Sequence, residues 1–298
     1  MKLASTTPQI AFEKVLVATD LSPLSEPALL WARAIARRYG SELYVTHVIS
    51  PAETALVPPE YWGSSQQMIE EATQRDMKGL DANLQGVHHK MLLEHGGVWQ
   101  SICADIEKFG IDLVVMATHG REGLSRLMMG SLAEEVFRQV ACPVLTVGPK
   151  VTAQVIGGPE FKQILFATNF GPESLAAARY AVSLAEDFGT GLTLLNVMDE
   201  EDFDPPVDPQ TILQNRMSRL HKLIPSDAEL KYAPQYLVEF GQSGAQILKI
   251  AEEQHAGLIV LGAKSANGHT GIATHLAAAT AHKVVSHATC PVMTVRIQ

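Results

Sequence analysis

The sequence predicts an α/β protein made of two repeated, doubly wound, open parallel-sheet domains, Rossmann-like, with five strands each. Three observations carry this prediction. Short continuous apolar runs alternate with stretches of helical periodicity along the chain. The pattern is written twice. EKVLVATDLSPLSEPALLWARAIARRYG (13–40) aligns with KQILFATNFGPESLAAARYAVSLAEDFG (162–189), GIDLVVMATHG (110–120) with HAGLIVLGAKS (255–265), and ACPVLTV (141–147) with TCPVMTV (289–295). The 298 residues also amount to about two domains at roughly 150 residues each. The expected domains are 1–150 and 158–298. The seam, GPKVTAQVIGGPE (148–160), has the Gly and Pro content of a linker.

Each element follows from its residues. In the first copy VLVAT (15–19), LYVTHVI (43–49), HHKMLLE (88–94), LVVMA (113–117) and VLTV (144–147) read as strands. They are continuous rather than alternating, so both faces are expected to be buried, as in a parallel sheet. Residues 24–38 put Leu24, Ala28, Trp31, Ala32, Ile35 and Ala36 on one helical face, and Gly40 ends the run. Further helices are expected over 66–82, 98–109 and 131–140, the last before Cys142-Pro143. The second copy repeats the order. Such βαβ units cross over right-handed. Their ligands sit at the carboxyl ends of the strands, where strand order reverses. Two Pro-rich segments, 50–65 and 199–209, follow the second strand of each copy and read as surface loops. They either cover a ligand or partner surface or are tolerated insertions.

Composition excludes several classes. The chain carries 23 basic and 32 acidic residues, net −9. The halves share this evenly, with 13 basic and 17 acidic groups in the first 150 residues. No basic patch for duplex nucleic acid is implied. No run reaches the ~18 apolar residues of a membrane span, and MKLASTTPQIAF lacks the apolar stretch of a signal peptide. Three cysteines, Cys103, Cys142 and Cys290, with no CxxC spacing, argue against a disulfide framework and for a reducing cytoplasm. The histidines His255, His269, His275, His282 and His287 lack the closely spaced carboxylate or thiolate partners of a metal site.

The most informative stretch is LVVMATHGREGLSRLMMGSLAEEVFRQVACPV (113–144). Its strand runs into Gly120, which lets the chain turn sharply. After a loop of nine residues Gly130-Ser131 opens an amphipathic helix. Free N–H groups and the dipole at a helix start form an anion site. Ser131 adds a hydroxyl, and Arg121 and Arg126 add charge. His119 either bonds a ligand or packs at the loop. There is no GxxxxGK[ST], no GxGxxG after the first strand and no Gly-x-Ser-x-Gly elbow.

Nearly the whole chain resembles a tandem member of the universal stress protein family. The resemblance rests on KVLVATDLSPLSEPAL, on VVMATHGREGLSRLMMGS and on CPVLTV. The family's ATP-binding members carry Gly-x2-Gly-x9-Gly-Ser/Thr, which falls here on Ala117, Gly120, Gly130 and Ser131, with the first glycine replaced. The resemblance implies that Asp20 hydrogen-bonds adenine and that Val48 meets the base through its backbone. Read alone, Asp20 in ATDLSP is equally a turn or cap residue. The resemblance also implies ATP as ligand, with Mg or Mn accompanying the phosphates, and pairing through the last strands VLTV and VMTV. That pairing is expected either within the chain, as a pseudo-dimer, or between chains, as a homodimer. The second copy reads Gly262-Ala263-Lys264-Ser265 and has Asn169 at the position of Asp20. It places His275-Leu276 or Ala278-Ala279 where Gly-Ser is required. The expectation is therefore ATP in the N-terminal copy only and a regulatory, stress-response role. The alternatives are a nucleotide-free interaction scaffold or a slow ATP hydrolase. No general base is identifiable for the latter.

Overall fold

The computed structural model describes residues 10–51, 61–119, 133, 135–136, 139–151, 161–198, 208–263 and 272–297, with the backbone alone for 272–279. Two compact units emerge, and they do not coincide with the two repeats. One comprises the described residues from Phe12 to Val136. The other combines the second repeat with the end of the first, including residues 139–151.

The first unit holds strands β1 (Lys14–Ala18), β2 (Glu42–Ile49), β3 (His89–His95) and β4 (Leu113–Ala117), in the order β3-β2-β1-β4 with every pairing parallel. Helix α1 (Glu26–Tyr39) follows β1, α2 (Trp62–Asn83) follows β2, and α3 (Val98–Phe109) follows β3. Val15, Leu16, Val17, Leu113, Val114 and Val115 are fully buried, so the inner strands are covered on both faces. That is why they read as unbroken apolar runs. The outer strand β3 is only half-buried, in keeping with its His and Lys content.

The second unit contains β5 (Val144–Val147), β6 (Gln163–Ala167), β7 (Gly191–Met198), β8 (Gln235–Phe240), β9 (Leu258–Gly262) and β10 (Val292–Val295). Their order is β5-β10-β9-β6-β7-β8. All pairings are parallel except β5 with β10, which is antiparallel. Helices α4 (Pro172–Phe188), α5 (Pro209–His221), α6 (Ser243–Glu253) and α7 (Ile272–His287) connect them. VLTV and VMTV thus pair within the chain. Leu145 faces Met293 in register, and both are buried. The hydroxyls of Thr146 and Thr294 donate to the Val292 and Val144 carbonyls at 3.1 and 3.4 Å.

Equivalent helices end alike. Gly40 and Gly189 close α1 and α4 at φ +69° and +55°, the left-handed conformation that glycine adopts without a Cβ penalty. Three local expectations need correction. Helix α1 begins at Glu26, and Leu24 lies before it, 47% exposed; Pro23 holds a turn that precedes the helix. Residues 62–65 belong to α2 rather than to a loop, because the prolines of that segment stop at Pro59. Pro209 is the first residue of α5, where a missing N–H costs nothing, and Asp208 caps the helix by accepting from Thr211 N–H at 3.0 Å. Residues 52–60 and 199–207 lie outside the described residues. Among the described residues, no helix is long and apolar enough to cross a membrane.

Candidate functional site

The carboxyl edge of the first unit is organised by the turn that follows β1. Thr19 N–H donates to the Thr46 carbonyl at 3.0 Å, extending the ladder one step past Ala18. The Thr19 hydroxyl lies 2.9 Å from Ser25 Oγ and accepts from Leu21 N–H at 3.0 Å. The Thr19 carbonyl accepts from His47 Nδ1 at 2.8 Å. These bonds hold Leu21 at φ +61°, a conformation that costs a residue with a Cβ about 1–3 kcal/mol.

The second copy repeats the device with different residues. Thr168 N–H donates to Leu195 O at 2.9 Å, and Thr168 Oγ1 lies 2.9 Å from Ser174 Oγ and accepts from Phe170 N–H at 2.9 Å. Phe170 is held at φ +60°. The Thr168 carbonyl accepts from Asn196 Nδ2 at 2.7 Å. A non-glycine residue in the left-handed conformation thus recurs at the same point of two diverged copies.

Asp20 follows Thr19 directly. Its Oδ1 accepts from Ser22 N–H at 3.0 Å and Ser22 Oγ at 2.7 Å, the Asx-turn geometry that its sequence context suggested. It does not cap α1, whose N-cap is Ser25. Its counterpart Asn169 uses Oδ1 to accept from Gly171 N–H at 2.9 Å and Ser174 Oγ at 3.1 Å, which turns its amide NH2 away from the turn. Where the first copy has a carboxylate, the second presents a donor. Val48 stands near the carboxyl end of β2, buried, in register with Glu94 of β3. Ala117 ends β4. Strand β1 lies between β2 and β4, so the strand order reverses beside it, and Asp20, Val48 and Ala117 share one edge of this switch point.

The Ala117 counterpart is Gly262. A Cβ at Gly262 would fall 2.3 Å from Ser174 N and 2.5 Å from Ser174 Cα, so only glycine lets α4 start this close to β9. In the first copy the side chain is present, and α1 starts at Glu26, whereas α4 starts at Pro172, the counterpart of Pro23. The methyl and the later helix start are consistent with one another.

His119, two residues past β4, is 6% exposed. Its Nδ1 lies 2.9 Å from Thr118 Oγ1, and its Nε2 has no hydrogen-bond partner among the described residues. Gly120, Arg121, Arg126, Gly130 and Ser131 lie outside the described residues, as do residues 264–271. The phosphate end of the expected site therefore lies outside the described residues. His47, Thr19 and Ser25 are contributors that pattern reading missed. The signal for Thr19 and Ser25 is their recurrence as Thr168 and Ser174; for His47 it is the alignment of Thr46-His47-Val48 with Leu195-Asn196-Val197, in which the middle residue keeps a polar donor.

A second missed feature is Asp105, a buried carboxyl on α3 that accepts from the Thr46 hydroxyl at 3.1 Å. Burial, helped by Glu94, pushes its pKa above the usual carboxylate range, with the Thr46 bond and Lys108 opposing. Burial likewise pushes the Cys290 thiol up to about 12, which makes it inert packing rather than a nucleophile. No disulfide joins the cysteines. Among the described residues, no group of three His, Cys, Asp or Glu is arranged to hold a metal ion.

Comparison with known proteins matches this chain twice to the universal stress protein family, over residues 11–148 and 160–296. A universal stress protein of Methanocaldococcus jannaschii is 34% identical over 140 residues, 46% of this chain and 82% of that protein. One from Mycolicibacterium smegmatis is 24% identical over 298 residues, 95% of this chain and 96% of its own length. Among solved structures, a universal stress protein from Archaeoglobus fulgidus superposes with a TM-score of 0.70 at 19% identity, covering 96% of this chain and 97% of that one, a likeness of fold.

Proposed function

The chain belongs to the universal stress protein family, and from that premise we propose that its N-terminal repeat binds ATP and that the protein acts as a cytoplasmic stress-response regulator. One observation supports this reading most. Asp20, Val48 and Ala117 come from separate strand ends, yet they stand together at the switch point of the first unit. The donor set fits the base end of an adenine nucleotide: Asp20 supplies an acceptor for the exocyclic amino group, and Val48 supplies main chain. Gly120, Arg121, Gly130 and Ser131 are assigned to the phosphates, with Mg or Mn as counter-ion. The second repeat is assigned a structural role, because Asn169 lacks the charge and its loop sequence lacks Gly-Ser. ATP then acts as a switch, whose effect requires different affinities for two states of the protein.

The test is direct. Denaturing the purified protein and analysing the released small molecules by mass spectrometry should yield adenine nucleotide, and titration with ATP should release heat. Gly130→Trp should abolish binding, and Ala278→Trp should leave it intact. Absence of both nucleotide and heat would leave the nucleotide-free scaffold as the reading. Steady-state phosphate release that disappears in Ser131→Ala would make the protein a slow hydrolase instead.

A further inference from the structure

We infer that His47 is a positioning residue that ends the β1–β2 ladder early and so delivers the Val48 main chain to the base. This inference rests on the nucleotide reading above. In a parallel ladder, a residue's N–H and C=O bond to the two residues that flank its partner. Thr19 is in register with His47, one step beyond the Ala18–Thr46 pair. Its N–H duly bonds Thr46 O at 3.0 Å. Its carbonyl should next accept from Val48 N–H. The His47 imidazole takes that carbonyl instead, at 2.8 Å.

A carbonyl only accepts, so His47 Nδ1 is the donor and carries the proton. The second copy reaches the same end with another side chain, Asn196 Nδ2 on Thr168 O at 2.7 Å. Two chemically different residues converge on one donor position. The donor is therefore what the fold keeps, and the imidazole is not. Both are buried, His47 4% exposed and Asn196 1% exposed, so neither bond can be replaced by one to bulk water.

The direction of Val48 follows from its neighbours. Thr46 turns its carbonyl to β1, and Ile49 turns its carbonyl the other way, to Gly96 N–H at 3.1 Å. Alternation then sends the Val48 N–H and C=O to the β1 side. There the left-handed Leu21 has already carried the chain away. A strand N–H left at that edge suits the unprotonated ring nitrogen of adenine. The corresponding guanine nitrogen carries a hydrogen and would oppose it.

The experiment measures ATP and GTP affinity and Val48 amide exchange in the full chain, with folding checked by circular dichroism. His47→Asn, which copies the second repeat, should bind ATP within about threefold of the parent. His47→Leu should lose about tenfold in ATP affinity and most of its preference over GTP. Its Val48 amide, measured without nucleotide, should exchange more slowly, because the Thr19 carbonyl is free to accept it. A folded His47→Leu protein with parental ATP affinity, base preference and Val48 exchange overturns the inference. So does His47→Asn behaving like His47→Leu. A parent that binds no nucleotide, combined with slowed Val48 exchange in His47→Leu, would remove the proposed function and leave the ladder-ending role standing.

Discussion

Gly262 and Ala117 occupy one structural position and tolerate different side chains. A methyl at Gly262 meets the main chain of Glu173 and Ser174, which cannot move without shifting α4. Gly262→Ala should therefore destabilise by about 1–3 kcal/mol, the usual range for overpacking. Ala117→Gly meets no such obstacle and should cost only about 0.5–1 kcal/mol of backbone entropy. Urea denaturation of both variants checks the asymmetry. Asp105 offers a second test at this scale. Its folded pKa is raised, so its penalty is absent below the ordinary carboxyl value of about 3.9 and grows as pH rises toward the folded value. Asp105→Asn should thus gain more stability, relative to the parent, at pH 7 than at pH 3.5. Equal differences at the two pH values would contradict the burial argument. Its counterpart in the second repeat, Ile250, is buried without needing any partner.

At the scale of elements, the strands were legible because burial on both faces leaves an unbroken apolar run. LVVMA and VLTV occupy the expected residues 113–117 and 144–147, β2 starts one residue earlier than expected, and β1 and β3 are shifted by one residue at both ends. Helix starts were less legible. Leu24 fits the apolar stripe of α1, but the turn that Ser22 and Ser25 build within the chain's own backbone removes it from the helix. The sequence pattern shows α2 only from residue 66, because its first residues, Trp62 to Ser65, bury no apolar side chain; Thr73 and Met77 are the buried residues of the helix. At the candidate site, the family resemblance singles out Asp20 and Val48, which lie at one strand edge of the first unit. It does not single out His47, because a buried histidine in an apolar strand looks like packing until its carbonyl partner is seen. The same holds for Asp105, whose partner Thr46 lies on another element.

For the whole molecule, the placement of β5 matters most. The last strand of the first repeat belongs to a compact unit with the second repeat and pairs with β10. A fragment of residues 1–150 would carry VLTV without VMTV. The two sequences are near-copies, so such fragments should pair with each other through β5. Analytical ultracentrifugation should show a dimer, and Leu145→Lys, which puts a charge at a buried position of the seam, should return it to a monomer. A fragment that is monomeric without the substitution would count against β5 as a self-complementary edge.

The antiparallel seam between β5 and β10 has one further consequence. Because both strands belong to a single polypeptide, their encounter is governed by an effective concentration that the chain itself sets. Diluting the protein a thousandfold does not separate them. A protein that depended on two identical chains meeting would lose this contact when its copy number fell. Carrying both copies of the strand in one chain makes the seam indifferent to protein concentration.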